Sequence, residues 1–158
     1  MKLHIGSGKY SLDGFINIDV QPFPNVHEVG NFREMVFSDV DEIVARHILE
    51  HFGREESLLV LRQWLSWLKP GGTLTIETPD FEYLCAQFNK DPEWMGIHAY
   101  GSQEAEWAYH KSAWYEKKVY AVAEKLGVYV VSVRHTKSRV IREERHILPN
   151  IVFVLKKP

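Results

Sequence analysis

Short apolar runs broken by glycine-containing and polar turns fill the first third of the chain, and they predict β-strands. Leu3-His4-Ile5 leads into Gly6-Ser7-Gly8, and Phe15-Ile16-Asn17-Ile18 leads to Asp19. Val26 to Val29 predicts a short third strand ending at Gly30-Asn31; Asp41 to Ala45 predicts a fourth, which enters Arg46-His47-Ile48-Leu49-Glu50-His51. The period then changes. Leu58, Leu61, Trp64, Leu65 and Leu68 recur at helical spacing, and Lys69-Pro70-Gly71-Gly72 supplies a cation, a helix breaker and a tight turn to stop them. Thr73 to Glu77 alternates as a fifth strand and runs into Thr78-Pro79-Asp80. A further helix is predicted after a Ser112 cap, with Tyr115, Val119, Val122, Ala123 and Leu126 on one face and Gly127 as its stop. Val128 to Val133 and Ile151 to Leu155 read as the last two strands, flanking a long polar connection. Strands alternating with longer segments predict an α/β sheet.

The front of this pattern is also chemical. A strand, a glycine turn and a second strand ending in a carboxylate form the first half of a nucleoside-binding site. Glycines let the backbone approach a ligand closely, and an acid at a strand's carboxyl end can accept ribose hydroxyls. Only Lys9 to Gly14 separates the turn from the second strand, too little for the helical crossover that normally joins parallel strands. A dinucleotide needs that helix, whose amino end holds the pyrophosphate. The spacing therefore disfavours NAD and FAD and favours a nucleoside without phosphates, of which S-adenosylmethionine is the common one.

Composition narrows the class without changing it. The 158 residues, 45% hydrophobic and 25% charged, fit one domain over residues 1–158 with a sizeable core and no separate substrate domain. A net charge of −2 argues against a broad nucleic-acid surface, although Arg134 to Arg145 is locally basic. The single cysteine, Cys85, excludes an intramolecular disulfide and any all-cysteine metal site, and is expected to be a buried or half-buried small apolar residue. No apolar run approaches a membrane span, and the chain enters a strand at its start; a cytoplasmic protein with no membrane partner is expected.

Five motifs then fall in order: Gly6-Ser7-Gly8, Gly14 to Asp19, His47 to His51, Leu68 to Gly72, and His110 to Ser112. Together they resemble the class I, seven-stranded S-adenosylmethionine-dependent methyltransferases. In particular the chain looks like the small bacterial methyltransferase-11-like group, whose chains carry a glycine turn, a G-F-I-N-I-D-like strand, H-x-L-E-H, L-K-P-G-G and a late H-K-S. The resemblance covers nearly the whole chain. It implies a three-layer Rossmann-like sandwich around a mostly parallel seven-stranded sheet with its last strand antiparallel, here with a truncated first crossover. It implies S-adenosylmethionine as cofactor: Gly6, Ser7 and Gly8 beneath it, Asp19 on the ribose, Asn31 reading the adenine amino group, and Arg46 and His47 beside the methionine end and the transferred methyl. Asp19 merely ending a strand, and Asn31 merely supporting a turn, stand as alternatives.

Two regions admit other chemistry. His47-Ile48-Leu49-Glu50-His51 fits H-x-x-E-H, the zinc-peptidase motif in which two histidines ligate and the glutamate activates water. That motif belongs inside a long helix, whereas an apolar strand precedes it here and Phe52-Gly53 interrupts the pattern. Glu50 and His51 are instead expected to stabilise a turn, and no metal is expected. Downstream, His98, Tyr100, Gln103 and His110, with Trp107, Tyr109 and Trp114, would follow the fifth strand and cover the sheet edge where ligands bind. His98 to His110 is expected to form a mobile cover over a small-molecule methyl acceptor, with His110 and His47 as the catalytic histidines. A solvated loop with core-packed tryptophans is the alternative there. A non-catalytic nucleoside- or partner-binding module of the same fold is the alternative to an enzyme. The sequence assigns no oligomeric state.

Overall fold

The computed structural model describes residues 1–141 and 145–158; Arg142 and the side chains at 138–147 lie outside that description, so the basic stretch is described only at Arg134, His135 and Lys137. Seven strands are present: β1 (Lys2–Ile5), β2 (Ile16–Asp19), β3 (Glu28–Val29), β4 (Val40–Arg46), β5 (Leu68–Pro79), β6 (Tyr129–Ile141) and β7 (Arg145–Lys156). They form one sheet in the order β3-β2-β1-β4-β5-β7-β6. Pairing is parallel from β3 through β5 and antiparallel where β7 meets β5 and β6. The helices are α1 (Arg54–Trp67), α2 (Phe81–Gln87), α3 (Pro92–Tyr100) and α4 (Glu116–Leu126). This is the expected Rossmann-like α/β sandwich with an antiparallel last strand. Among the described residues no helix is long and apolar enough to cross a membrane.

The core follows the apolar runs read in the sequence, with alternation in β5. Leu3, Ile5, Ile43, Leu74 and Ile76 are completely buried, and α1 lays Leu61, Trp64 and Leu65 against them. Trp64 packs on Phe32, whose ring meets Phe52 edge-on. On α4, Val119, Val122 and Ala123 are buried, and Trp114 stacks on Phe153. The β1–β2 connection, residues 6–15, has no helix, as the spacing predicted. Buried Asn17 fastens it instead: its Oδ1 accepts from Leu12 N–H at 3.0 Å and pairs with His4 Nδ1 at 2.9 Å. Burial lowers the His4 pKa, so the imidazole sits neutral in this network.

Several boundaries differ from expectation, each for a physical reason. Leu68 is not the end of α1 but the start of β5, because Pro70 keeps Lys69 out of helical geometry and Leu68 is already extended. The polar connection after Val133 is not a loop: β6 and β7 continue pairing from Thr136↔Asn150 to Ile141↔Arg145. Beyond Pro79↔Asn150 no β5 residue pairs with β7, so this two-stranded arm leaves the sheet and need not alternate apolar residues. Ser112 does not cap α4; its Oγ accepts from Trp114 Nε1–H, and the cap position falls to Tyr115. The sequence predicts neither α2 nor α3, although Asp80 and Asp91 cap them through Tyr83 N–H and Trp94 N–H, and Cys85 on α2 is exposed rather than buried.

The arm is tied to the body through His135, whose Nδ1 lies 2.7 Å from Asp80 Oδ2 and Nε2 3.2 Å from Glu116 Oε2. Hydrogen bonds to Asp80 and Glu116 outweigh slight burial and raise the His135 pKa. The stabilisation is therefore complete below the ordinary histidine value of about 6.5 and lost as pH rises through the raised folded value. His135→Ala should destabilise the protein in mildly acidic buffer and progressively less at alkaline pH. Urea-unfolding midpoints of both proteins across that range test this; a constant gap between them would refute it.

Candidate active site

The strand order turns at β1, with the chain passing to β2 on one side and β4 on the other, and such a switch point leaves a crevice beyond the carboxyl ends of the strands. A cavity of about 930 Å³ opens there. Gly6, Ser7, Gly8, Asp19, Asn31, Arg46 and His47 all line it, so the structure brings the seven expected cofactor residues together. Gly6 has φ +66°, and a Cβ there would lie 2.7 Å from Ile48 Cδ1. Gly8 has φ +54° and open space on its Cβ side. Buried Ser7 leaves its Oγ without a hydrogen-bond partner.

The Asp19 carboxylate is held at both oxygens. Oδ2 accepts from Gly8 N–H at 2.8 Å and Oδ1 from Gln21 N–H at 2.9 Å. Each carboxylate oxygen can accept twice, so the group is aimed yet retains acceptor capacity. The Asn31 carbonyl, by contrast, accepts from Arg33 N–H at 3.1 Å and caps the short 3-10 turn Phe32–Glu34. Turn support is thus a role Asn31 performs, and a second lone pair on its oxygen remains for the cavity.

Charge gathers at the ends of β4 and β5. Glu77 Oε2 lies 3.6 Å from Arg46 Nε, its Oε1 lies 3.9 Å from His47 Nε2 and also accepts from Asn150 Nδ2–H at 2.7 Å. His47 has φ +51°, a left-handed conformation unfavourable for a residue with a Cβ and characteristic of functional sites. Its Nδ1 is 3.2 Å from Oε1 of Glu50, a residue with 1% exposure. Burial pushes the His47 pKa down, but the hydrogen bond and charge of Glu50, with Glu77, win and raise it. Burial likewise pushes Glu50 up, and His47 and His51 outweigh it and lower it. The two are therefore an ion pair.

His110 does not line the cavity. Its Nδ1 lies 2.7 Å from the His98 carbonyl, its backbone N–H donates to Tyr100 O, and its ring meets the His51 ring edge-on at 5.0 Å. It stands behind His51, which does line the cavity. Burial lowers the His110 pKa, outweighing the nearby Glu50 charge. The start of the expected cover is corrected too: Asp91 and Pro92 open α3, so His98 to Tyr100 are helical, and irregular chain begins at Gly101, where φ is +81°. Trp107 and Lys111 from that later segment reach the cavity. The H-x-x-E-H residues do not share a helix face, since His47 lies just after β4 and Leu49–His51 is a single 3-10 turn.

Glu77 and Lys111 were missed as site residues. A charged residue at the carboxyl end of a predicted parallel strand was signal enough for Glu77; Lys111 lies within the H-K-S motif but was assigned no role.

No family model and no curated protein matches the chain. Solved structures do. A SAM-dependent methyltransferase from Methanosarcina mazei is 14% identical with a TM-score of 0.67, over 99% of this chain and 91% of that one. Another from Archaeoglobus fulgidus is 16% identical with a TM-score of 0.60, over 99% and 85%. The N-methyltransferase NodS of Bradyrhizobium japonicum, in complex with S-adenosyl-L-homocysteine, is 12% identical with a TM-score of 0.61, over 99% and 77%. At these identities the likeness establishes the class I methyltransferase fold.

Proposed function

We propose that residues 1–158 form one S-adenosylmethionine-dependent methyltransferase domain acting on a small-molecule acceptor. The carrying observation is the cradle itself: an open Gly8, an unpartnered Ser7 Oγ and an aimed Asp19 carboxylate converge at the switch point without a helix for a pyrophosphate. Those groups fit a nucleoside. Gly6, Ser7 and Gly8 would pass beneath it, Asp19 would accept its ribose hydroxyls, and the Asn31 amide group would edge the adenine. Arg46 and His47 would face the amino-acid end.

When bound, the sulfonium supplies an already activated methyl group, so the protein chiefly aligns the acceptor and excludes water. His47, kept protonated by Glu50 and Glu77, donates hydrogen bonds at the reacting end. His51, Trp107 and Lys111 would wall the acceptor side, with Trp107 bringing the 101–110 segment to it as a cover. His110 acts as a positioning residue through the His51 ring.

Calorimetry and thermal shift with S-adenosylmethionine, S-adenosylhomocysteine and NAD test the reading. Binding of the first two and not of NAD is expected. No response to either at millimolar concentration refutes the assignment, and cofactor binding without methylated product across acceptor classes favours the non-catalytic module.

A further inference from the structure

We propose that Glu50, His51 and His110 bind one divalent transition-metal ion of zinc type at the acceptor end of the cavity. Each of the three brings a nitrogen or carboxylate oxygen within 4.8 Å of those of the other two. The histidines are already oriented for this. His110 Nδ1 lies 2.7 Å from the His98 carbonyl and His51 Nδ1 lies 3.1 Å from the Tyr109 carbonyl. A carbonyl only accepts, so each Nδ1 carries a hydrogen, and Nε2 is the ring nitrogen left for a metal. Metal-binding histidines are characteristically fixed in this way, by a hydrogen bond from the other ring nitrogen.

The third ligand supplies the independent observation. Glu50 is 1% exposed, His47 engages its Oε1, and its Oε2 is buried with no hydrogen-bond partner. A buried carboxylate oxygen without a donor is costly, and a cation is the partner it lacks. The backbone holds the groups in place: Lys111 N–H donates to Glu50 O at 2.7 Å, Ser112 N–H to the same oxygen at 3.1 Å, and His110 N–H to Tyr100 O at 2.9 Å. Zinc bonds of about 2.0–2.2 Å require the ligand atoms to draw closer together than this 4.8 Å spacing. Two imidazoles, one carboxylate and an open position suit zinc or iron(II) and not magnesium, which prefers oxygen.

This reverses the expectation of no metal for a definite reason. The H-x-x-E-H reading needed His47 as a ligand, whereas here His47 serves Glu50 and the second histidine is His110, far along the chain. Because His51 lines the cavity, the open position would face it. Resting on the methyltransferase reading, we assign that position to an oxygen or nitrogen of the methyl acceptor.

Chelator-stripped protein titrated with zinc chloride by calorimetry, and with cobalt(II) by visible absorption, tests the site. One ion per chain is expected, with a rise in Tm and no comparable response to magnesium. His51→Ala and His110→Ala should each lower zinc affinity by at least about 100-fold, Glu50→Gln should lower it without removing side-chain volume, and His135→Ala should not change it. Circular dichroism verifies that each variant is folded. Absence of stoichiometric zinc, equal affinity in a folded His110→Ala variant, or equal loss in His135→Ala overturns the site. S-adenosylhomocysteine titrated separately keeps the two readings apart: its binding without zinc leaves the methyltransferase standing and the metal refuted, and zinc binding without it does the reverse.

Discussion

Asp19→Ala should weaken S-adenosylmethionine binding by about 1.5–3 kcal/mol, the range for hydrogen bonds to a charged group. The carboxylate is fixed by Gly8 N–H and Gln21 N–H before any ligand arrives, so little ordering opposes its use on the ribose. Truncation removes the acceptor and releases the Gly8 amide that it holds, so a fall in thermal stability accompanies the loss. Asp19→Asn separates the effects. An amide keeps one acceptor oxygen for a backbone N–H but loses the charge, so most stability should return while most of the affinity does not. Calorimetry with S-adenosylhomocysteine on both variants decides; unchanged affinity in Asp19→Ala would reduce Asp19 to a strand terminator.

The sheet was legible because its short, mostly apolar runs coincide with burial. Leu3, Ile5, Ile43, Leu74 and Ile76 point into a core covered on both faces, and a residue type that fails there has a large penalty. The cofactor residues were legible for a related reason: a glycine turn and a strand-end acid are local features, and the chain needs only the parallel β1–β2 pairing to join them. What escaped was non-local or uncovered. The β6–β7 arm past Asn150 has no neighbouring strand to impose alternation, so its polar residues read as a loop. Helix α3 buries only Met95 and shows no apolar face, leaving its Asp91-Pro92 start as the sole signal. His51 and His110 are far apart in sequence and meet only because the segment after α3 returns to hydrogen-bond Glu50 O. No spacing rule encodes such a return. The sequence motif therefore suggested a histidine pair, His47 with His51, that the folded chain does not assemble.

Gly6→Ala should destabilise the protein by about 2–5 kcal/mol, and comparison with Gly8→Ala divides the loss into its sources. Both glycines sit at positive φ, where an L-residue costs about 1–2 kcal/mol. Only Gly6 has a neighbour: its Cβ would fall 2.7 Å from Ile48 Cδ1 and 3.3 Å from Ile48 Cβ, adding about 1–3 kcal/mol of overpacking. The strain would not stay local. Ile48 follows His47, itself left-handed, and both line the cavity, so displacing Ile48 disturbs the reacting end and should lower cofactor affinity as well. Gly8→Ala meets nothing within 4 Å and should show the backbone penalty alone. Adding Ile48→Ala to each variant completes the cycle: it should recover part of the Gly6→Ala loss and none of the Gly8→Ala loss, since interaction energy arises only between groups that touch. Urea-unfolding free energies of the series measure these terms. Equal destabilisation by the two glycine substitutions would mean that Ile48 yields without resistance and that the turn contributes only its backbone conformation.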